Sequence, residues 1–461
     1  MDYNVSHIQV AGAGAGKTYG LADRIIKRDE VVKDHKVIFA ITYTNAAKKN
    51  ITEQLCKQMG GVPNHIRIMT VHSFLLEKII FPYSNIVLKQ SYNKAISIPL
   101  SDIPQFKAAK LKRINDRNII HNQQVFKKAQ MILNKNRKSK DLQGKIDIIL
   151  NHIVSGIDSI FVDESQDLDD DALMVFEFLA EQNIYLYMVG DPKQAIKYPK
   201  AFESFCLKVE KGGIKTFALL DCVNSTRRVP ELHLKLSNCL CKKNQLQNSL
   251  SQKQGRLSYL FVTDNEFTEL YSKFKLNESL MYISKKNDLF DTHLNTQNIY
   301  LPESVKDKLE KLCKFEVYDL DIWIESILIE FEVKLEKMGP GSILKQFESS
   351  YGIKLERNEW AELKEILTKK VSKQLYNVSS IDKIKGLESE SCLFIVDNSM
   401  LQYLTGKNKT RNKEMNRLYV ALTRSLDHLI FAIDIERINC MNKCEIQEWF
   451  KSRNIESFKR S

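Results

Sequence analysis

Two short stretches hold residue types suited to chemistry on phosphates. In "AGAGAGKT", residues 11–18, the small residues Ala11, Gly12, Ala13, Gly14, Ala15 and Gly16 lead into Lys17 and Thr18. Successive small residues let backbone N–H groups turn inward into a concavity that binds anions. The helix expected to follow, "YGLADRIIKR", aims its positive end at the same point. Lys17 supplies a point charge for β- and γ-phosphates, and the Thr18 hydroxyl suits Mg²⁺. A flexible turn would account for the glycines, but not for the Lys-Thr pair or the strand-like "SHIQV" before them. In "SIFVDESQDLDD" an apolar run delivers Asp163 and Glu164 side by side. Asp163 suits Mg²⁺ held through water, and Glu164 suits orienting and deprotonating an attacking water. A solvated acidic loop is the bland alternative, and the apolar run feeding straight into the pair argues against it. Together the two stretches predict hydrolysis of a nucleoside triphosphate.

Such residues need a scaffold that brings distant segments to one edge. "HIQVAGAG", "KVIFAIT", "IRIMTVHS", "SIFVDES" and "YLYMVGD" are short apolar runs, each ending in small, polar or acidic residues and separated by helical stretches. That alternation predicts an α/β fold with a parallel sheet covered on both faces, its ligands at the carboxyl ends of the strands. A basic stretch, "FKAAKLKRINDRNIIHNQQVFKKAQMILNKNRKSK", reads as a small, mostly helical insertion. A second α/β region starts near "GRLSYLFVTD" and resumes at "SCLFIVDNS" and "LIFAID", interrupted by a helical stretch with "MGPGS" as a loop. The formal charge of +12 favours a polyanionic partner. Nine cysteines are scattered, and the close pairs Cys239/Cys241 and Cys440/Cys444 lack the spacing of zinc sites, so buried reduced thiols are expected. No run approaches the ~18 apolar residues of a membrane span, and "MDYNVSHIQV" is too polar for a signal peptide. A cytoplasmic protein without a membrane partner is the expectation.

With "AGAGAGKT", the run "VDESQD" resembles the UvrD/Rep-like group of superfamily 1 helicases. Six more stretches match in order: "ITYTNAAKKN", "TVHSF", "VGDPKQAI", "NSTRRVPEL", "SSIDKIKGLESE" and "NRLYVALTRS". The resemblance implies two RecA-like parallel-sheet motor domains, each interrupted by a small helical insertion, with ATP between them and single-stranded or partly duplex DNA threaded across, usually from 3′ toward 5′. The first motor domain is expected at residues 1–80 and 150–222 with an insertion at 81–149. The second is expected at 223–302 and 377–461 with a reduced insertion at 303–376. By the resemblance, Gln166 and Gln194 sense water or the γ-phosphate, and Arg227 and Arg424 are guanidinium donors to the transferring phosphoryl group. Gly386 and Glu388 fall on the nucleotide side. Tyr43 is placed to stack on a base, a grip independent of sequence. Thr44, Asn45, His72, Ser73 and Tyr198 fall on the DNA path, as does Lys383 or Lys385.

The sequence departs from the pattern at the base-reading end. The glutamine element that precedes the phosphate loop in the family is missing here, and the family's adenine-stacking tyrosine aligns with Thr226. Loosened base selectivity is therefore expected. The insertions are short, as in compact relatives found beside OLD-family nucleases in antiphage systems such as Gabija. The resemblance thus implies a helicase or translocase, or alternatively a nucleotide-gated subunit that controls a nuclease partner with little unwinding of its own.

Overall fold

The computed structural model describes residues 5–32, 35–98, 100, 103–276, 279–287, 289–292, 299–312, 317–335, 337–371 and 376–458. Its chain divides into two compact units, residues 1–262 with 384–461, and residues 263–383. The second unit begins earlier than the helical composition alone suggests.

In the first unit, six strands form one parallel sheet: β1 (Ser6–Ala11), β2 (Val37–Thr42), β3 (Ile66–Thr70), β4 (Ile157–Val162), β5 (Tyr185–Gly190) and β6 (Phe217–Val223). Their order is β3-β2-β4-β5-β1-β6, every pair parallel. The five apolar runs of the sequence are β1 to β5; the edge strand β6 has one buried position, Phe217, and carries no β-branched run of that kind. Strands β4 and β5 are buried at every position because helices cover both faces. Alternate residues serve the two sides: Ile160, Val162, Leu186 and Met188 join one core with Phe74, Phe176 and Phe202. Phe161, Tyr185, Tyr187 and Val189 join the other with Leu21, Ile25 and Leu55.

The basic stretch after β3 is mixed in structure. It holds the helices Phe81–Leu88, Pro104–Asp116, Val125–Leu133 and Lys140–Ser155, and a short parallel pair, Lys94–Ile96 with Ile119–His121. The Val125–Leu133 helix is no surface appendage: Phe126, Ala129 and Ile132 belong to the main core. A second parallel group in the same unit consists of β7 (Arg256–Val262), β8 (Ser389–Val396), β9 (Ser425–Asp434) and β10 (Glu456–Ser457), in the order β8-β9-β7-β10. The chain is therefore α/β with two parallel sheets.

The second unit is built on the helices Glu303–Leu312, Val317–Leu335, Pro340–Tyr351 and Arg357–Val371. They close around Ile327, Phe331, Ile343, Leu344, Phe347, Leu363 and Leu367. "MGPGS" is only partly a loop, since Pro340 starts a helix there, where its missing N–H costs nothing. Two short parallel pairs complete the unit, Leu280–Ile283 with Ser379–Ser380 and Phe290–Asp291 with Tyr376–Asn377.

No described helix is long and apolar enough to cross a membrane. The described cysteines are free, yet the expectation of burial fails for most: Cys392 is buried, while Cys56, Cys222, Cys239 and Cys444 are exposed. Cys56, for example, stands on the outer face of the Asn45–Met59 helix, whose inward positions are Ile51 and Leu55.

One ion pair ties the helix after the phosphate loop to the sheet. The Arg28 guanidinium donates through Nε to Asp158 Oδ2 at 2.6 Å and through Nη2 to Oδ1 at 3.0 Å, with Asp158 nearly buried. Arg28→Met leaves that carboxylate buried and uncompensated, and is expected to cost about 3–5 kcal/mol in urea unfolding. Adding Asp158→Leu should recover most of the loss; a single variant within about 1 kcal/mol of the parent would show the pair to be unimportant.

Candidate functional site

Because the strands run parallel, the ends of β1, β4 and β5 lie at one edge of the sheet, and the phosphate-type residues follow them directly. After β1 the chain turns through Gly16, which is left-handed at φ 75°, into the Lys17–Asp29 helix. No side chain caps that helix, so its first N–H groups face the loop unclaimed by a capping residue, as an anion site requires. Lys17 Nζ donates to the carbonyl oxygens of Gly12 at 3.1 Å and Ala11 at 3.5 Å. Burial lowers the pKa of its ammonium against the pull of Glu164, Asp191 and Asp163. Gly14 is needed twice over: its φ is +65°, and a Cβ there would meet Thr226 Oγ1 at 2.4 Å and Arg228 Cβ at 2.7 Å.

At the end of β4, the Thr18 hydroxyl donates to Asp163 Oδ2 at 3.0 Å, and the Glu164 N–H donates to Asp163 Oδ1 at 2.8 Å. Burial, and then the neighbouring Glu164 charge, push the Asp163 carboxyl up to about 6. A hard cation would relieve that strain, and two oxygen donors with room for phosphate oxygens fit Mg²⁺. Glu164 sits in the left-handed region at φ 53°, ψ 38°, a conformation that costs a non-glycine residue about 1–3 kcal/mol and persists where the surroundings enforce it. Burial works against its charge, but Lys385 and Lys17, a hydrogen bond from Gln166 Nε2 and the more distant Arg424 hold the carboxyl down to about 2. Its carboxylate is therefore ionised at neutral pH.

A buried polar chain runs on from there. Gln166 Oε1 accepts from the Asp191 N–H at 2.9 Å, and Asp191 Oδ2 accepts from Gln194 Nε2 at 2.9 Å. Gln194 Oε1 accepts from Arg424 Nη2 at 3.3 Å, with Arg424 only 1% exposed. Sequence reasoning missed two members of this chain, Gln247 and Tyr419. Tyr419 Oη lies 2.6 Å from Gln247 Oε1 and 3.3 Å from Asp191 Oδ2. "NRLYVALTRS" contains Tyr419, so its motif was a signal; Gln247 has none.

The two arginines of "NSTRRVPEL" are placed differently from the expectation. Arg227 is exposed, whereas Arg228 lies against Gly14 of the phosphate loop. Arg228 Nη1 pairs with Glu388 at 3.0 Å, and its Nε is buried without a hydrogen-bond partner, an orphan donor beside a loop suited to anions. The reason is the turn: Thr226 is fully buried and its Oγ1 accepts from the N–H groups of Arg228 and Val229, which swings Arg228 inward. Gly386 is left-handed at φ 87° with open space around it.

On the expected DNA side, Tyr43 is half-buried among His72 and Phe126, and the Lys197 ammonium sits 3.7 Å from its ring centroid. Burial, and next Lys197, lower the His72 pKa to about 4, so the ring is neutral. Thr44 and Ser73 are engaged locally: Thr44 Oγ1 accepts from Ala47 N–H and caps the Asn45–Met59 helix, and Ser73 bonds Thr70. Asn45 is exposed at the start of that helix. Tyr198 lines a groove of ≈ 430 Å³ with Lys197, Lys200, Arg411 and Lys413, basic residues that no motif indicated, and with Asp169 and Asp170. Of the two lysines offered for DNA, neither lies on this groove. Lys383 donates to the Thr292 carbonyl at 2.7 Å within the second unit. Lys385 lies with the catalytic-type carboxylates, 2.7 Å from Asp167 and 3.8 Å from Glu164, because two buried negative charges draw in a cation.

Residues 4–200 match the AAA domain family. Over 96% of its length the chain is 25% identical to the Gabija protein GajB of Bacillus cereus (strain VD045), covering 96% of that protein as well. A solved complex of the arterivirus nonstructural protein 10 helicase with DNA is similar at 9% identity with a TM-score of 0.38, over 92% of this chain. The chain spans about 60% of that helicase's length.

The placement of Lys385 has a direct test. Lys385→Met is expected to lower basal NTP turnover by at least about tenfold while single-strand affinity, read by fluorescence anisotropy, is unchanged. Loss of strand affinity with basal turnover intact would return Lys385 to the DNA side.

Proposed function

We propose that this chain is a UvrD/Rep-like superfamily 1 helicase, an NTP-hydrolysing, Mg²⁺-dependent motor that moves on single-stranded DNA from 3′ toward 5′, in the cytoplasm, within an antiphage defence complex containing an OLD-family nuclease. The observation that carries the motor reading is the chain of polar contacts from Thr18 and Asp163 through Glu164, Gln166, Asp191 and Gln194 to Arg424. It joins groups at the end of the first sheet to an arginine from the segment leading into β9, so a change at the nucleotide is felt by both sheets.

In this reading Lys17 and the loop amides bind the β- and γ-phosphates, and Thr18 and Asp163 hold Mg²⁺, which supplies charge neutralisation on the phosphates. Glu164, kept ionised by Lys385 and Lys17, takes the proton of the attacking water. Arg424 and Arg228, the latter in place of Arg227, stabilise charge on the transferring phosphoryl group. Thr226, small and turned into the loop, offers no ring for a base, which supports loosened base selectivity. The basic groove along Tyr198, Lys200, Arg411 and Lys413 supplies sequence-independent grip on a strand. The defence role is supported by similarity along nearly the whole length of the Gabija protein GajB and of this chain.

Steady-state turnover tests the chemistry. Lys17→Ala is expected to abolish it, and Glu164→Gln to retain nucleotide binding while losing about 10²–10⁴-fold in kcat. Normal turnover by Glu164→Gln would remove the base from its assigned position. GTP should be hydrolysed within about tenfold of ATP, and a strict ATP requirement would overturn the loosened selectivity. For movement, duplexes with a 3′ single-stranded tail should be separated in preference to those with a 5′ tail. Absence of any strand-dependent activity would leave a nucleotide-gated regulatory subunit as the better reading.

A further inference from the structure

We infer that Gln247 is a positioning residue for triphosphate hydrolysis: it holds the phosphate loop at the Ala13 carbonyl and, through Tyr419, sets the chain that ends at Arg424. This rests on the nucleotide reading of the site. Gln247 precedes the short Asn248–Ser249 strand, which pairs in parallel with Ser225–Thr226. It is only 2% exposed, although "NQLQNSL" reads as an ordinary polar loop.

Both ends of its amide are engaged. Nε2 donates to the Ala13 carbonyl at 3.1 Å, and Oε1 accepts from Tyr419 Oη at 2.6 Å and from Lys193 Nζ at 3.5 Å. The Ala13 carbonyl can only accept, so the amide must face it with nitrogen and present oxygen to Tyr419 and Lys193. The backbone of Gln247 is pinned in turn by Asn238, which accepts from its N–H at 3.0 Å and donates to its carbonyl at 2.8 Å. The approach is close enough to dictate the loop sequence. A Cβ on Gly12 would lie 2.2 Å from the Gln247 amide, so glycine at 12 makes room for this side chain.

Tyr419 passes the constraint on. Its hydroxyl accepts from the Ala13 N–H at 3.3 Å and has one proton to offer, with Gln247 Oε1 and Asp191 Oδ2 both within reach. Both polar groups of Ala13 are thus held by one Gln–Tyr pair. Asp191 holds Gln194, which touches Arg424. Tyr419 lies in the Lys413–Leu422 helix, just ahead of Arg424, whose Nε donates back to the carbonyl of Val420 at 3.1 Å. A displacement of Ala13 when the loop takes up phosphate changes the partners available to Tyr419 and so the seating of the arginine.

Three variants test this in steady-state turnover, with folding checked by thermal melts. Gln247→Leu keeps the volume and removes both amide bonds; it is expected to raise KM about tenfold and lower kcat about fivefold. Gln247→Glu keeps an acceptor for Tyr419 but cannot donate to Ala13, and should raise KM with a smaller effect on kcat. Tyr419→Phe removes one oxygen and should lower kcat with KM within about twofold. Combined with Gln247→Leu, its loss should be less than multiplicative, because the two residues act in one chain. If Lys17→Ala abolishes turnover but all three variants keep KM and kcat within about twofold of the parent, the inference is overturned and the nucleotide reading stands. Normal turnover by Lys17→Ala would defeat the nucleotide reading itself. Should Gln247→Leu fail to fold, the kcat of Tyr419→Phe decides.

Discussion

Two adjacent carboxylates at the end of a fully buried strand are an electrostatic problem, and much of the first unit is arranged around it. Burial opposes the charge on both Asp163 and Glu164, and the Glu164 charge adds to the cost of ionising Asp163. The surroundings resolve the conflict unequally. Glu164 receives Lys385, Lys17 and the Gln166 amide, and stays ionised. Asp163 has the Lys17 charge, the Thr18 hydroxyl and one backbone N–H, and its carboxyl stays raised all the same. In the function proposed above, that difference suits one carboxylate to act as a base and the other to hold a metal, a division made by neighbours and not by residue type.

The same economy governs the polar chain beyond them. A buried polar group with one partner missing is costly, so a network of this kind is either satisfied throughout or a source of instability. Gln166, Asp191, Gln194, Tyr419, Gln247 and Arg424 satisfy one another across segments far apart in sequence. Neutral amides are suited to the task, since each can donate and accept at once without adding charge beside the carboxylates. One orphan near this chain is the Nε of Arg228, which lies beside the phosphate loop. An unmet donor at a site built for anions is where incomplete satisfaction has a use.

Much of the first sheet was legible in the chain. Apolar β-branched runs ending in small or acidic residues gave β1 to β5 and the edge at which they deliver their side chains, because a strand buried on both faces is mostly apolar. What escaped were elements without such a run: the edge strand β6, and the short pair Lys94–Ile96 with Ile119–His121. Their stability comes from pairing with neighbours, which local composition does not record. The basic stretch misled for a related reason, since the Val125–Leu133 helix turns its apolar side into the main core while its lysines dominate the composition.

The linear sequence by itself determined the loop with Lys17 and Thr18, the Asp163–Glu164 pair and their nearness to strand ends, because each depends on contiguous residues and a preceding strand. Tertiary structure alone decided which arginine of a consecutive pair reaches the loop, that Lys385 joins the carboxylates, and that Gln247 presses on Gly12. Those outcomes turn on where a buried hydroxyl bends a turn, where uncompensated negative charge draws a cation, and how closely a side-chain amide approaches a glycine. Each is a property of segments meeting in space, and spacing along the chain carries no record of it.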